Sequence, residues 1–409
     1  MESISERRYE LDWLRVLVVL LLIPFHTAQI FTPYVYWLRN DQLHIAAHAL
    51  LNFVDQFHMP LLFFVAGAAT WFSLGRRTGG KYLLERLKRL FVPMMFGMLV
   101  FVSANHFASA VHWASRYGYP FSQSFFQYYP TFLQEKLFPF QSDFGPGALW
   151  FIWYLFFYSL ALLPLFLYIR RGSGRGITSW LGGFFEKRGA LFLLAIPIAL
   201  VLIYWPPSLL ANFPIFYYII FFIYGFFLYS EPSFQRGIDK SGPIAVVGGV
   251  VTMTLYMTLI FPVVYRMDLG NSYWPMIGDG PGTWTYTLYC ILRSFNCWFW
   301  LIGLTYLGKK FLNFSNRFLR YANEAVLPFY IVHQTFIVLI GFYVVQWNMD
   351  VLPKFLIITI GTFVGLVVFY DLIIKRTNVT RFLFGVSLKK KLLQEERRAS
   401  MPSEDGSAE

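Results

Sequence analysis

Long apolar runs, separated by short polar and charged segments, set the pattern of the chain. Ten such runs stand out, over residues 11–33, 56–75, 90–109, 148–169, 189–205, 213–230, 243–265, 284–307, 322–346 and 353–374. Most hold about 17–24 residues, close to the ~20 that an α-helix needs to cross ~30 Å of hydrocarbon. They lack the two-residue alternation of barrel strands. The expected fold is therefore an all-α integral membrane protein of about ten transmembrane helices. The fifth run, ALFLLAIPIALVLIYW, is the shortest.

Lysine and arginine fill alternate loops. RRTGGKYLLERLKR (76–89), RRGSGRG with EKR (170–188), RGIDK (236–240) and GKKFLNFSNRFLR (308–320) follow the even-numbered runs. Arg7 and Arg8 precede the first run, and a basic stretch from Lys375 to Arg398 follows the last. Cytoplasmic loops concentrate such charges, so both termini are expected in the cytoplasm. Composition agrees: 57% of the residues are hydrophobic and only 14% charged, against about 25% charged in a soluble domain. The net charge of +12 then reports topology, and nucleic-acid binding drops out. The first run is too long for a cleaved signal peptide.

The chain divides into a cytoplasmic N-terminus (1–10), one transmembrane domain (11–375) and a basic tail (376–409), whose polar end from Ser400 is expected to be disordered. There is no internal repeat and no separate soluble domain. The longest stretch between runs, 110–147, is expected on the outer side. Its YGYPFSQSFFQYYPTF suits a lid, a glycan-stacking loop or a set of interfacial aromatics. Cys290 and Cys297, two turns apart on one run, are too far apart to pair and read as small core residues.

Polar residues inside the runs carry the chemistry. Arg15 and His26 are eleven residues apart, about 20° past three full turns, so they share one helix face at ~16 Å along the axis. Arg15 lies near the cytoplasmic boundary, where it can snorkel or pair with Asp12. His26 lies past the midplane, and an intramembrane ionisable residue is by default a functional one. His58 opens the second run, with Asp55 one turn earlier to orient its ring. In the ninth run Glu324 lies near the cytoplasmic start and His333 about nine residues deeper. Pro328 between them should kink that helix and free a carbonyl. Together the three histidines suggest a polar cavity open to the outer side. Before the third run, Arg86 and Arg89 are one turn apart, with Lys88 between them, and arginine forks bind phosphate well. The histidines lack a carboxylate cluster at local spacing, so no metal is expected.

These residues bring a resemblance into view. An arginine followed by ten residues and a histidine in the first span resembles the signature of the membrane acyltransferase family 3. Arg86-Leu87-Lys88-Arg89 is similar to its second signature, two arginines flanking two residues. YELDWLR, FHMPLLFFVAGA, RLFVPMMFG, LWFIWYL and LPFYIVHQ extend the likeness over about residues 7–375, nearest to the glucan-modifying branch. Two positions depart from the pattern of relatives: apolar residues follow Leu149-Trp150 where the O-antigen branch has acids, and Ala148 stands where a histidine is frequent.

The resemblance implies ten spans in a bacterial inner membrane and O-acylation. An acetyl or succinyl group would move from cytoplasmic acyl-CoA (acetyl-CoA or succinyl-CoA) to a hydroxyl of an extracytoplasmic glycan or glycolipid. With no fused secreted domain, transfer would finish within the membrane domain. Arg86, Arg89 and Lys88 would hold the nucleotide end, with Arg15 further in. His26 would act as general base, its unperturbed pKa of ~6.5 suiting that role. His333 or His58 would position the acceptor or stabilise the oxyanion, Glu324 would pair with Arg15, and an acyl-histidine relay stands beside direct transfer. The main alternative is a proton-coupled transporter of a polar solute, which would share the intramembrane His and Glu. A non-catalytic membrane sensor is a third reading. Absent paired inverted repeats and the Arg86/Arg89 pair weigh against the transporter.

Overall fold

A computed structural model describes residues 8–34, 36–137, 145–170, 172–205, 215–263 and 282–388. The expected N-terminal residues 1–7, most of FPFQSDFGPG and the Ser400–Glu409 tail lie outside them. No strand occurs among the described residues. The helices are α1 (Tyr9–Gln29), α2 (Ile45–Asp55), α3 (His58–Gly75), α4 (Gly79–Tyr117), α5 (Phe125–Leu137), α6 (Trp150–Ala161), α7 (Leu163–Arg170) and α8 (Gly172–Phe185). There follow α9 (Ala195–Tyr204), α10 (Ile215–Leu228), α11 (Pro232–Val263), α12 (Trp284–Phe311), α13 (Arg317–Val344), α14 (Val351–Ile374) and α15 (Asn378–Leu383).

Seven of these units are long and apolar enough to cross a membrane: α1, the Ile45–Gly75 pair, α4, α11, α12, α13 and α14. Two bent pairs raise the number to nine. Gly147–Ala161 meets Leu163–Arg170 at 53°, and Gly174–Phe185 meets Ala190–Tyr204 at 117°. The apolar α10 is shorter, at 14 residues. Each of the ten apolar runs therefore falls on helix, in an integral membrane protein. Several loops are helical as well. The expected loop at 170–188 contains α8, the 110–147 stretch contains α5, and α2 precedes the second run. Pro328 lies inside α13, which runs as one helix from Arg317 to Val344.

Local chemistry sets the ends. Thr283 accepts from the Tyr286 N–H to start α12, and Asn316 accepts from the Leu319 N–H at 2.7 Å to start α13. Both satisfy donors that a helix N-terminus leaves unpaired. Packing then sorts the helices. Helix α1 lies at the centre, against α2, α3, α12, α13 and α14. By contrast α11 and α14 are largely unburied, and their Val247, Leu259, Ile360 and Leu372 are exposed, as suits a lipid-facing helix.

The closest crossing joins α3 to α10. A Cβ on Gly67 would stand 2.0 Å from the Phe222 carbonyl oxygen, and one on Gly225 1.9 Å from that of Phe64. The two glycines meet each other's backbone, the small-residue contact that lets membrane helices approach. We expect Gly67→Val or Gly225→Val to cost at least ~1–3 kcal/mol, seen as a lower melting temperature and loss of monodisperse protein. Gly80→Ala, where a Cβ meets nothing within 4 Å, should melt as the native protein does.

Candidate active site

His26 sits near the end of α1, partly buried. Its Nδ1 is 2.7 Å from Gln29 Oε1, one turn on. His333, buried on α13, has its Nδ1 2.7 Å from the Tyr330 carbonyl. His58, buried at the start of α3, has its Nδ1 2.9 Å from the Val54 carbonyl. Each partner is an oxygen acceptor, with the Gln29 amide assigned carbonyl-first. Each Nδ1 therefore carries the proton and donates, and each neutral ring keeps its Nε2 lone pair. The His26 and His333 rings lie 5.2 Å apart between centroids, tilted by 36°. His333 Nε2 is buried without a hydrogen-bond partner among the described residues. A buried polar atom of that kind calls for a donor. The His58 ring packs on Phe25 at 4.5 Å, and Phe25 meets the His26 ring edge-on at 5.1 Å; neither of the two cavities described below reaches these rings.

Tyr36, in the segment that follows α1, lies against this cluster. The Tyr36 ring is parallel to that of His26 at 6.1 Å, and Gln334 donates to its hydroxyl. Buried Lys354 on α14 ties the segment down, its Nζ 2.9 Å from both Asn40 Oδ1 and the Val345 carbonyl. The Tyr330 hydroxyl donates to the Ala148 carbonyl at 3.1 Å, which fixes the start of α6 beside α13.

Several expected pairings are replaced. Asp55 does not orient His58. It pairs with Arg293 at 2.7 Å, and the His58 ring bonds the Val54 carbonyl instead. Glu324 does not pair with Arg15; it meets the buried Arg381 of α15. Arg15 pairs with Asp12 at 3.0 Å, as expected, and bonds Asn323. Successive residues of α13 point ~100° apart, so Asn323 faces α1 and Glu324 faces α15. Arg86 and Arg89 also diverge, because a π turn over Leu87–Phe91 widens the helix. Arg86 lies over the Tyr82 ring at 4.7 Å and reaches Thr70. Arg89 bonds Ser387 Oγ at 3.0 Å and pairs with Glu85. Sequence reading missed Gln29, Tyr36, Gln334 and Arg293. Only Arg293 carried a signal, a cation within an apolar run.

A cavity opens at the other end of α1, and a larger one adjoins it at Arg77. The larger, of about 420 Å³, is lined by Lys88 and Arg89 with Lys81, Leu84 and residues 385–388. The smaller, of about 270 Å³, lies between α1 and α3 and has Arg15 in its wall. Arg86 lines neither of these two. From Arg15 toward His26 the facing positions Val19, Leu22, Leu61, Leu62 and Val65 are all buried. The seam of α1 with α3 thus has cations at one end, imidazoles at the other and a dry apolar stretch between.

A family model described as an acyltransferase domain matches residues 8–371. The chain belongs to the acyltransferase 3 family. Among curated relatives, it is similar to glucans biosynthesis protein C of Escherichia coli (strain SMS-3-5 / SECEC), 22% identical over 83% of this chain and 84% of the relative. The protein of that name from Salmonella schwarzengrund (strain CVM19633) is 22% identical over 97% of this chain and 98% of its own. No solved structure matches.

For an acyltransferase 3 protein, a neutral imidazole with a fixed tautomer is a proton acceptor aimed in one direction. In water an imidazole favours the opposite tautomer, Nε2–H. The Gln29 bond therefore has a measurable effect. In ¹⁵N-histidine NMR, His26 should show the Nδ1–H form, and Gln29→Leu, which removes a bond of ~1 kcal/mol, should return it toward the Nε2–H form.

Proposed function

We propose that this protein is a membrane O-acyltransferase. It moves an acetyl or succinyl group from cytoplasmic acyl-CoA to a hydroxyl of an extracytoplasmic glycan of the periplasmic-glucan kind, or of a glycolipid. The observation that carries the reading is the paired His26 and His333 at one end of the α1 seam, with basic cavities at the other. In this reading the chain crosses a bacterial inner membrane ten times, over residues 11–375, with both termini cytoplasmic. That topology places Arg15, Lys88 and Arg89 on the donor side and the histidines toward the acceptor side.

The steps balance as follows. His26 Nε2 takes the proton of the acceptor hydroxyl, whose oxygen attacks the thioester carbon. The carbon–sulfur bond of the tetrahedral intermediate breaks, and the departing sulfur receives the proton from His26. His333 Nε2, whose ring donates through Nδ1 to Tyr330, is an acceptor too. It suits orienting the incoming hydroxyl better than donating to an oxyanion. His58 supports the cluster through Phe25. Arg86 and Glu324 act through their helix contacts and position the basic end. A thioester supplies its own activated acyl group, so the chemistry asks for a base and for alignment.

The test is thioester loss. Purified protein is incubated with acetyl-CoA or succinyl-CoA and a periplasmic-type glucan, and free CoA is followed. His26→Ala should lower the rate by ~10²–10⁴-fold while CoA binding and melting temperature persist. His333→Ala should mainly raise the KM for the glucan. No CoA release with any donor, from folded protein that moves a solute across liposomes, would favour a transporter.

A further inference from the structure

Arg293 stands inside the long apolar helix α12. Ionisable residues in such helices face the bundle interior or a water-filled space, and by default they mark function. The Arg293 guanidinium donates to Asp55 Oδ2 at 2.7 Å and to the Tyr289 hydroxyl at 3.3 Å. Asp55 is the last residue of α2 and lies deep within the protein, yet 45% of its side chain is accessible. The pair therefore faces an opening between helices rather than packed protein.

Fastening does not account for it. An ion pair open to water holds helices together weakly. The joint of α2 with α11 and α12 is made beside it by covered groups. Tyr256 donates to Asn52 Oδ1 at 3.0 Å, and Asn296 donates to Gln56 Oε1 at 3.3 Å. All four of these residues are buried.

The surroundings are aromatic. Both charges of the pair act on the half-buried Tyr218 of α10. Its ring lies 5.1 Å from that of Trp150, which opens α6, and stacks on Phe63 at 5.0 Å. Phe63 meets Phe151 at 4.7 Å, and the Phe151 N–H donates to the Tyr330 hydroxyl at 3.3 Å. Tyr330 carries the carbonyl that orients His333. One chain of contacts thus runs from the pair to the paired imidazoles.

The chemistry of a ligand follows from this lining. A carboxylate accepts and a guanidinium donates, so side by side they can hold two neighbouring hydroxyls by charge-assisted bonds. The electron-rich faces of Tyr218 and Trp150 suit the C–H face of a sugar ring. Asp55 and Arg293 also cancel each other's charge, and a second carboxylate placed there would meet Asp55. The site therefore fits a neutral sugar and disfavours an acidic one.

We propose that Asp55 and Arg293 form a subsite for a neutral sugar unit of the acceptor, holding vicinal hydroxyls while the ring stacks on Tyr218. The subsite rests on the reading of the acceptor as a glycan, and it deepens that reading from glycan to uncharged glycan.

The test measures acceptor-dependent CoA release by the full-length protein in nanodiscs, with acetyl-CoA and succinyl-CoA as donors. A neutral β-linked glucose oligosaccharide and a glucuronic acid oligosaccharide of equal length are the two acceptors. Native protein should use the first and discriminate against the second. Asp55→Asn should raise the KM for the glucose oligosaccharide at least about tenfold, the loss of a charge-assisted bond, with little change in kcat. It also leaves the Arg293 charge uncancelled, so preference should shift toward the acidic oligosaccharide. If Asp55→Asn does not fold, the double variant Asp55→Asn, Arg293→Gln, which leaves no unpaired charge, carries the same KM test. The swap Asp55→Arg, Arg293→Asp restores an ion pair and should restore the melting temperature, but not the KM, because donor and acceptor have changed places. A swap with native KM, or a folded Asp55→Asn with native KM and native discrimination, would make the pair structural and overturn the subsite while the acyltransferase reading stands. No acceptor-dependent CoA release from folded native protein would overturn the glycan reading itself.

Discussion

The crossing of α3 with α10 at Gly67 and Gly225 is the contact on which the placement of everything else depends. Two backbones meet there with no side chain between them, so α3 has no freedom to slide or roll. Helix α3 carries His58 at one end and Arg76 and Arg77 at the other. Helix α1, packed on α3, carries His26 and Arg15 at matching depths. A rotation of α3 would separate the imidazoles and the guanidinium groups at the same time. The glycines touch no chemistry, yet they hold both ends of the seam in register.

At the histidine end, short-range bonds do the orienting. Each of the three rings donates through Nδ1 to an oxygen within four residues of its own position. The orientation of each ring is thus set by a partner close in sequence, and packing brings the His26 and His333 rings to 5.2 Å. Neutral rings are also what a dry interior tolerates, since a buried unpaired charge is expensive. Tyr36, held by Gln334, lies parallel to the His26 ring on one side.

Much of this was legible in the sequence. Period and length found the apolar runs that fold as helix, seven of them long and apolar enough to cross a membrane or up to nine with the bent pairs. The eleven-residue spacing of Arg15 and His26 survived folding because α1 is one uninterrupted helix. What failed did so where helical arithmetic stops. Asp55 and His58 sit across a break, and Arg86 and Arg89 straddle a π turn, so three-residue spacing no longer fixed the partners. Glu324 went to Arg381 because its partner lies 57 residues away, a distance no local pattern encodes. Tyr36 and Gln334 were hidden for another reason. The chain has 26 tyrosines, and only tertiary contact distinguishes one of them. Helices α5 and α8 were read as loops because they are too polar for a spanning run.

The dry seam between Arg15 and His26 has an electrical consequence. If the proposed donor's phosphates stay with the arginines, their charge never enters the transmembrane field. What would then pass the seam is an acyl group in one direction and, on the returning thiol, a proton in the other. For acetyl transfer no net charge would cross, and turnover would be indifferent to membrane voltage. A succinyl group takes a carboxylate outward, a charge worth ~2.3 kcal/mol per 100 mV, and an interior-negative membrane speeds its passage. The voltage dependence of a single turnover therefore reports the charge of the acyl group.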